Sequence, residues 1–223
     1  MLIYDIEIEK AIEGKNDGFR LEGIKYCDGW HDHKGMGVSC VCAYDYEQDR
    51  YRMFFKDNRV EFLALALSHE IIIGFNNIGF DNKVLLAHKW FPMPYLWDAK
   101  SYDLLREIWL AAGLGPEFIY PTHAGYGLDA VIKANAEILG GNFGKTGHGA
   151  VAPVDFQSGN YGNLVDYCLT DVWLTKKLFD LVYSGSILID PKTGKDLILR
   201  TPAEVANQSL ERRFWSSLKT DTR

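Results

Sequence analysis

Residues 3–10, IYDIEIEK, limit the possible folds of this chain more sharply than any other segment. Side chains alternate from Leu2 to Ile8, with Leu2, Tyr4, Ile6 and Ile8 on one face of a strand and Ile3, Asp5 and Glu7 on the other. The run is apolar enough to be a buried strand, where a carboxylate is costly unless it has a partner. Asp5 and Glu7 project the same way, about 6 to 7 Å apart along the chain, so one divalent cation can be reached by both. The pattern alone is cheap. Chance gives about one D-x-E in this composition, and a second pair, Asp45 and Glu47, falls at a polar hairpin turn and reads as solvated.

The rest of the chain reads as alternating strands and helices. GVSCVCAYDYEQDRYRMFF gives two β runs joined around Glu47 to Asp49, an antiparallel hairpin. Asn58 and Glu61 resemble a capping box before VEFLALALSHE. IIIGF then suits a buried central strand, and FDNKVLLAHKW the next helix. YLWDAK is a candidate strand, and helices are expected over 101–112 and 127–139. A Gly-rich loop over 141–162 leads into a long helix, NLVDYCLTDVWLTKKLFDLVY. SILID, PKTGKD and LILR read as a terminal hairpin, and Thr201, Pro202 and Glu204 open a C-terminal helix. The expected class is α/β, a mixed sheet with an antiparallel hairpin and parallel strands, flanked by helices.

At 223 residues the chain suits one compact α/β domain or a domain with a small appendage, the appendage here being 185–223, a hairpin and helix packed on 1–184. No apolar run reaches the roughly 18 residues of a membrane span, and the N-terminus lacks a signal-peptide pattern. A cytoplasmic protein without membrane contact is expected. The four cysteines, Cys27, Cys40, Cys42 and Cys168, show no C-x-x-C pair or zinc spacing and read as buried or reduced thiols. A net charge of −6 argues against nucleic-acid binding through a broad basic surface. Two bound divalent ions would offset four of those charges, which makes metal the mediator.

Two further patterns carry chemistry. GFNNIGFDNKVL places Asn76, Phe80 and Asp81 where the central strand ends and a helix begins, the usual ligand position in open α/β sheets. Alone, Asp81 could equally be a helix N-terminal acid. In YCLTD, Tyr167 and Asp171 are i and i+4 on a helix and share a face.

In order and setting, these three motifs resemble the tyrosine-bearing branch of the DEDD superfamily of 3′-to-5′ exonucleases. The chain is similar over residues 1–184 to the proofreading exonuclease domains of family B DNA polymerases and to DnaQ-like proteins. The resemblance implies a ribonuclease H-like fold. It implies that Asp5, Glu7, Asp81 and Asp171 bind two cations and that Tyr167 orients the attacking water. Four clustered carboxylates repel by about 1 kcal/mol per pair in water and about 3 at an effective dielectric of 20, so they need cations to coexist. Oxygen ligands suit Mg²⁺ or Mn²⁺. An ordinary phenol, with pKa near 10, is a poor base at neutral pH, so the metal must acidify the water.

Phe80 either stacks on the terminal nucleotide or belongs to the core, and Asn76 either bonds substrate or caps its turn. His123, in YPTHAGYGLD, either meets the phosphate or, as ranked first, caps a turn. Lys83, Lys100, Lys133 and Lys145 are phosphate-contact candidates weighed against plain solvation. The loop with Cys27, Asp28, His31, Asp32 and His33 reads as a solvated loop lining the cleft rather than a zinc site. One departure concerns substrate contact: many members follow D-x-E with Thr or Ser, and here Ile8 stands in that place. The expected activity is exonucleolytic removal of nucleotides from a 3′ end, on single-stranded DNA ahead of RNA. Two alternatives are a structure-specific endonuclease on the same fold and an inactive nucleic-acid-binding or scaffold module. No particular protein partner is indicated.

Overall fold

The computed structural model describes residues 1–14, 20–91, 97, 99–141, 143–144 and 149–206. In chain order the elements are β1 Leu2–Glu7, β2 Ala11–Ile12, β3 Tyr26–Cys27, α1 His33–Met36, β4 Cys40–Asp45, β5 Arg50–Phe54, α2 Arg59–Ser68 and β6 Ile72–Gly74. They continue with α3 Asp81–Ala87, β7 Ser101–Asp103, α4 Leu104–Ala111, α5 Leu128–Ala134, α6 Ala152–Gln157, α7 Tyr161–Tyr183, β8 Leu188–Ile189 and β9 Asp196–Leu197.

Five strands form the central sheet in the order β5-β4-β1-β6-β7. β4 runs antiparallel to β1 and to β5, whereas β6 and β7 run parallel to β1. This is the mixed, helix-flanked sheet expected from the sequence, consistent with a ribonuclease H-like fold. Alternation along β1 splits the core in two. Leu2, Tyr4, Ile6 and Ile8 pack with Phe62, Val84, Leu85 and Trp90 beneath α2 and α3. Ile3 faces the opposite core with Cys40, Cys42, Leu164, Cys168 and Val172 under α7. Asp5 and Glu7 share that second face, which brings them under the long helix. Among the described residues, no helix is long and apolar enough to cross a membrane.

Several local expectations change. Residues 101–103 are strand and the helix begins at Leu104, because Ser101, Tyr102 and Asp103 pair with Ile72, Ile73 and Gly74. Of the candidate strand YLWDAK, Trp97, Ala99 and Lys100 are helical, and its other residues lie outside the described set. Asn58 makes no capping bond to α2; its Oδ1 accepts the Phe55 N–H at 2.6 Å and closes the preceding turn. Helix α5 stops at Ala134, where Asn135 turns its side chain to the Ile189 backbone instead of extending the helix toward 139.

The 141–162 segment contains α6, which has Pro153 in its first turn, and α7 already starts at Tyr161. Asp45 is 1% exposed rather than solvated, because it ends a fully buried strand against His69 Nε2 at 3.3 Å. The Thr201–Glu204 capping box forms: Thr201 N–H donates to Glu204 Oε2 at 2.6 Å, and Glu204 N–H returns to Thr201 Oγ1 at 3.4 Å. The rest of the expected C-terminal helix, 207–223 with Phe214 and Trp215, lies outside the described residues, as does Lys145.

Candidate active site

Asp5 and Glu7 stand at the C-terminal half of β1, opposite Cys42 and Cys40 of β4 respectively. Cys168 comes down from α7 with Sγ 3.6 Å from the Asp5 carbonyl oxygen and 3.8 Å from Asp5 Oδ2. A carboxylate oxygen of Asp5, one of Glu7 and Cys168 Sγ lie within 4.8 Å of one another, a spacing that could hold a metal ion. Neither Asp81 nor Asp171 joins a three-ligand set of that tightness among the described residues.

The second contribution comes from the turn between β6 and α3. Asn76 adopts φ +70 there, a conformation Asn tolerates better than most residues. Its backbone carbonyl accepts the Phe80 N–H at 2.9 Å, and a Cβ at Gly79 would collide with its carboxamide. The turn is set from outside by Asp103, whose carboxylate accepts the N–H groups of Asn76 and Ile78 at 2.9 and 3.1 Å. The same carboxylate caps α4 by accepting from Leu105 and Arg106. On the far side, Asn82 is held by the Tyr4 hydroxyl and by Trp97 Nε1 at 2.9 Å. The first residue of α3 is thereby delivered to the C-terminal end of the central strand β1, where Asp81 Oδ1 accepts the Ile6 N–H at 3.2 Å.

Burial pushes the Asp81 carboxyl up to about 7, and the charges of Asp103 and Asp171 add to the rise against the Ile6 N–H. Burial likewise raises Asp103 to about 6, against the opposing pull of its backbone donors. Helix α7 supplies the third contribution. Leu164, Tyr167, Cys168, Asp171 and Thr175 are all buried, so one helix face carries both the core contacts and the polar pair. A Cβ at Gly149 would lie 3.4 Å from the Tyr167 hydroxyl, so the loop before α6 passes closely over that oxygen.

Asp5, Glu7, Asp81, Tyr167 and Asp171 line one cavity of about 320 Å³, with Asn76, Phe80 and Trp30 at its margin. The structure thus gathers seven of the eight sequence-selected residues. His123 is the exception: it is 3% exposed, its Nδ1 accepts the Ile119 N–H at 3.1 Å and its Nε2 lies 3.0 Å from the Gly115 carbonyl, which fastens its own loop. Lys100 donates to the carbonyls of Leu67 and His69, and Lys133 pairs with Asp129. Lys83 lines a larger adjoining cavity of about 900 Å³ with Arg106, Trp109 and His33.

In the 27–35 loop, Asp32 caps α1 by accepting from Gly35 N, Cys27 is buried against the Ala11 carbonyl, and Trp30 packs edge-on to Phe80 at 6.1 Å. Asp103, Trp30 and the cysteines beside the acids stand outside the site residues selected from the sequence. Asp103 carried a weak signal as an Asp placed before a helix, whereas the other placements depend on contacts between distant segments.

Asp5 and Glu7 offer carboxylate oxygens at the spacing of one divalent cation, donors that suit Mg²⁺ or Mn²⁺, and Asp81 and Asp171 line the same cavity. Burial, with the neighbouring acids Asp103 and Asp171 adding to it, holds Asp81 toward its neutral form. A cation among them would reverse that shift.

The fold is similar to that of the family B DNA polymerase from the hyperthermophilic archaeon Pyrobaculum calidifontis, at a TM-score of 0.52 and 16% identity. That alignment covers 81% of this chain and 24% of the polymerase, so the chain spans about a quarter of its length. Exonuclease I, in a structure concerned with its processivity, aligns at a TM-score of 0.41 and 18% identity over 82% of this chain and 40% of that one. An ExoI/SSB-Ct complex aligns at a TM-score of 0.37 and 16% identity, covering 76% and 43%. No protein-family model and no curated protein matches the chain.

Proposed function

We propose that the chain is a metal-dependent 3′-to-5′ exonuclease that hydrolyses the terminal phosphodiester of a nucleic acid, single-stranded DNA ahead of RNA. The observation that carries this reading is the meeting of Asp5, Glu7, Asp81, Tyr167 and Asp171, from three elements far apart in sequence, around one cavity. Asp5, Glu7, Asp81 and Asp171 would hold two divalent cations, Mg²⁺ or Mn²⁺. Bound there, such cations would supply acidification of water and neutralisation of charge developing on the phosphodiester.

The Tyr167 hydroxyl orients the attacking water by hydrogen bond. Phe80, packed against Trp30 at the cavity margin, offers the terminal base a stacking face, a sequence-tolerant contact. Asn76 lines the same margin. The adjoining cavity shares Trp30, Asn76 and Phe80 with the acidic one and adds Lys83, Arg106 and Trp109. Cationic and aromatic side chains in one groove suit a single strand. Polarity and the preference for DNA rest on the resemblance to proofreading exonucleases and on the fold likeness to a DNA polymerase.

Digestion of a 5′-labelled single-stranded DNA oligonucleotide with Mg²⁺, Mn²⁺ or EDTA tests the reading, with Asp171→Ala as control. A ladder shortening from the 3′ end, lost with EDTA and with the substitution, is expected. Cleavage of a circular single strand would turn the assignment to an endonuclease. No cleavage of DNA or RNA by folded protein would turn it to a binding module.

A further inference from the structure

Three of the four cysteines converge directly below the acids. Cys40, Cys42 and Cys168 are each 0% exposed, and their Sγ atoms all lie within 4.8 Å of one another. Strand register explains the meeting. Cys40 and Cys42 are two apart on β4, so both face the side that α7 covers, and they sit opposite Glu7 and Asp5 across the antiparallel ladder. Helix α7 then sets Cys168 above them, with Sγ 3.8 Å from Asp5 Oδ2. Packing alone explains one small buried thiol, but not three thiols at mutual ligand spacing with a carboxylate oxygen 3.8 Å from one of them.

That donor set has a chemistry of its own. A tetrahedral ion with metal–sulfur bonds of about 2.3 Å and a metal–oxygen bond of about 2.0 Å requires sulfur–sulfur separations near ~3.8 Å and sulfur–oxygen separations near ~3.5 Å. The thiols would close by about 1 Å at most, and Asp5 Oδ2, 3.8 Å from Cys168 Sγ, would swing toward the other two sulfurs to complete the set. Soft sulfur donors select against Mg²⁺ and Mn²⁺, so the two kinds of cation divide between neighbouring sites.

We propose that Cys40, Cys42 and Cys168 form a site for one thiophilic divalent cation of the Zn²⁺ or Cd²⁺ class, with Asp5 as the fourth ligand. Binding leaves three thiolates on the ion and releases the protons the thiols still carry, about two or three per chain near neutral pH. An Asp5 carboxylate turned to this ion is withdrawn from the acidic cavity above, so the thiophilic ion opposes Mg²⁺ or Mn²⁺ there. That last consequence rests on the nuclease reading; the binding itself does not.

The test titrates Cd²⁺ into the reduced, metal-free full chain and follows thiolate-to-metal charge-transfer absorption, which needs no nuclease activity. A rise that saturates at one Cd²⁺ per chain is expected, retained in Cys27→Ala and weakened in affinity by at least about tenfold in Cys42→Ala and Cys40→Ala. Asp5→Asn should keep the absorption with weaker affinity. No absorption change in the folded wild-type chain, or an unchanged titration in either folded cysteine variant, overturns the proposal. Should those variants not fold, proton release by the wild-type chain decides: two or three per Cd²⁺ supports the site, and one or none overturns it.

Discussion

The Asp103 carboxylate accepts the backbone N–H of Asn76 at 2.9 Å, tying the end of β7 to the turn that carries Asp81. The same side chain holds Ile78 and caps α4, so an acid at the edge of the adjoining groove sets the position of one that lines the acidic cavity. Replacing Asp103 with Ala strips acceptors from several buried N–H groups. A loss of roughly 2 to 4 kcal/mol in unfolding free energy is expected, together with a fall in hydrolysis through misplacement of Asp81. Asp103→Asn keeps one acceptor oxygen and should recover about half of the stability. Denaturant unfolding of both variants measures this directly.

Asp81 and Asp103 are both raised, to about 7 and about 6, from an ordinary value of 3.8. Between those limits the folded chain holds protons that the unfolded chain has released. Their contribution to stability is therefore present below about pH 4 and lost as pH climbs through 6 and 7. In EDTA, Tm should fall across that interval, with a shallower slope in Asp81→Asn. Added Mg²⁺ should raise Tm more at pH 8 than at pH 5, since only the ionised carboxylates attract it. Thermal scans across pH, with and without the ion, test both statements.

Asp5→Asn and Asp171→Asn each remove a charge from the proposed cation site. Hydrolysis should drop by more than about 100-fold, with weakened Mn²⁺ binding seen by electron paramagnetic resonance of the free ion. Retention of both properties in either variant would assign the cavity another task.

Tyr167→Phe deletes one hydroxyl from a buried helix face and leaves the ring in place. If that hydroxyl orients water, kcat should decline roughly 10- to 100-fold with little change in KM. Single-turnover kinetics on an oligonucleotide separates this from a binding defect.

Trp30→Ala and Phe80→Ala act on the stacking margin instead. Each should weaken single-strand binding by about 1 to 3 kcal/mol, read as a raised KM in fluorescence or filter-binding assays, while a dinucleotide substrate is affected less by Trp30→Ala.

The carboxylates and the tyrosine were legible in the sequence because each sits in a local pattern with a physical cost or a fixed spacing. Asp5 and Glu7 interrupt an apolar strand, Asp81 follows a buried strand end, and Tyr167 and Asp171 share one helix face. Local patterns also marked both strands of the hairpin and the capping box at Thr201. Where two local readings competed, tertiary pairing chose between them. Ser101–Asp103 has helical neighbours yet became strand because β6 offered an open edge, and Asp45 became buried because His69 closes over it.

Strand and helix periodicity by itself determined which side chains share a face, and so which acids could act together. Only the tertiary structure decided what those faces meet. The pairing of Asp5 with Cys42 and Glu7 with Cys40, the descent of Cys168 onto both, and the hold of Asp103 on the Asn76 turn join segments 27 to 163 residues apart. Such contacts follow from sheet register and helix docking, which depend on the whole core and leave no mark on the spacing of residues within a single segment.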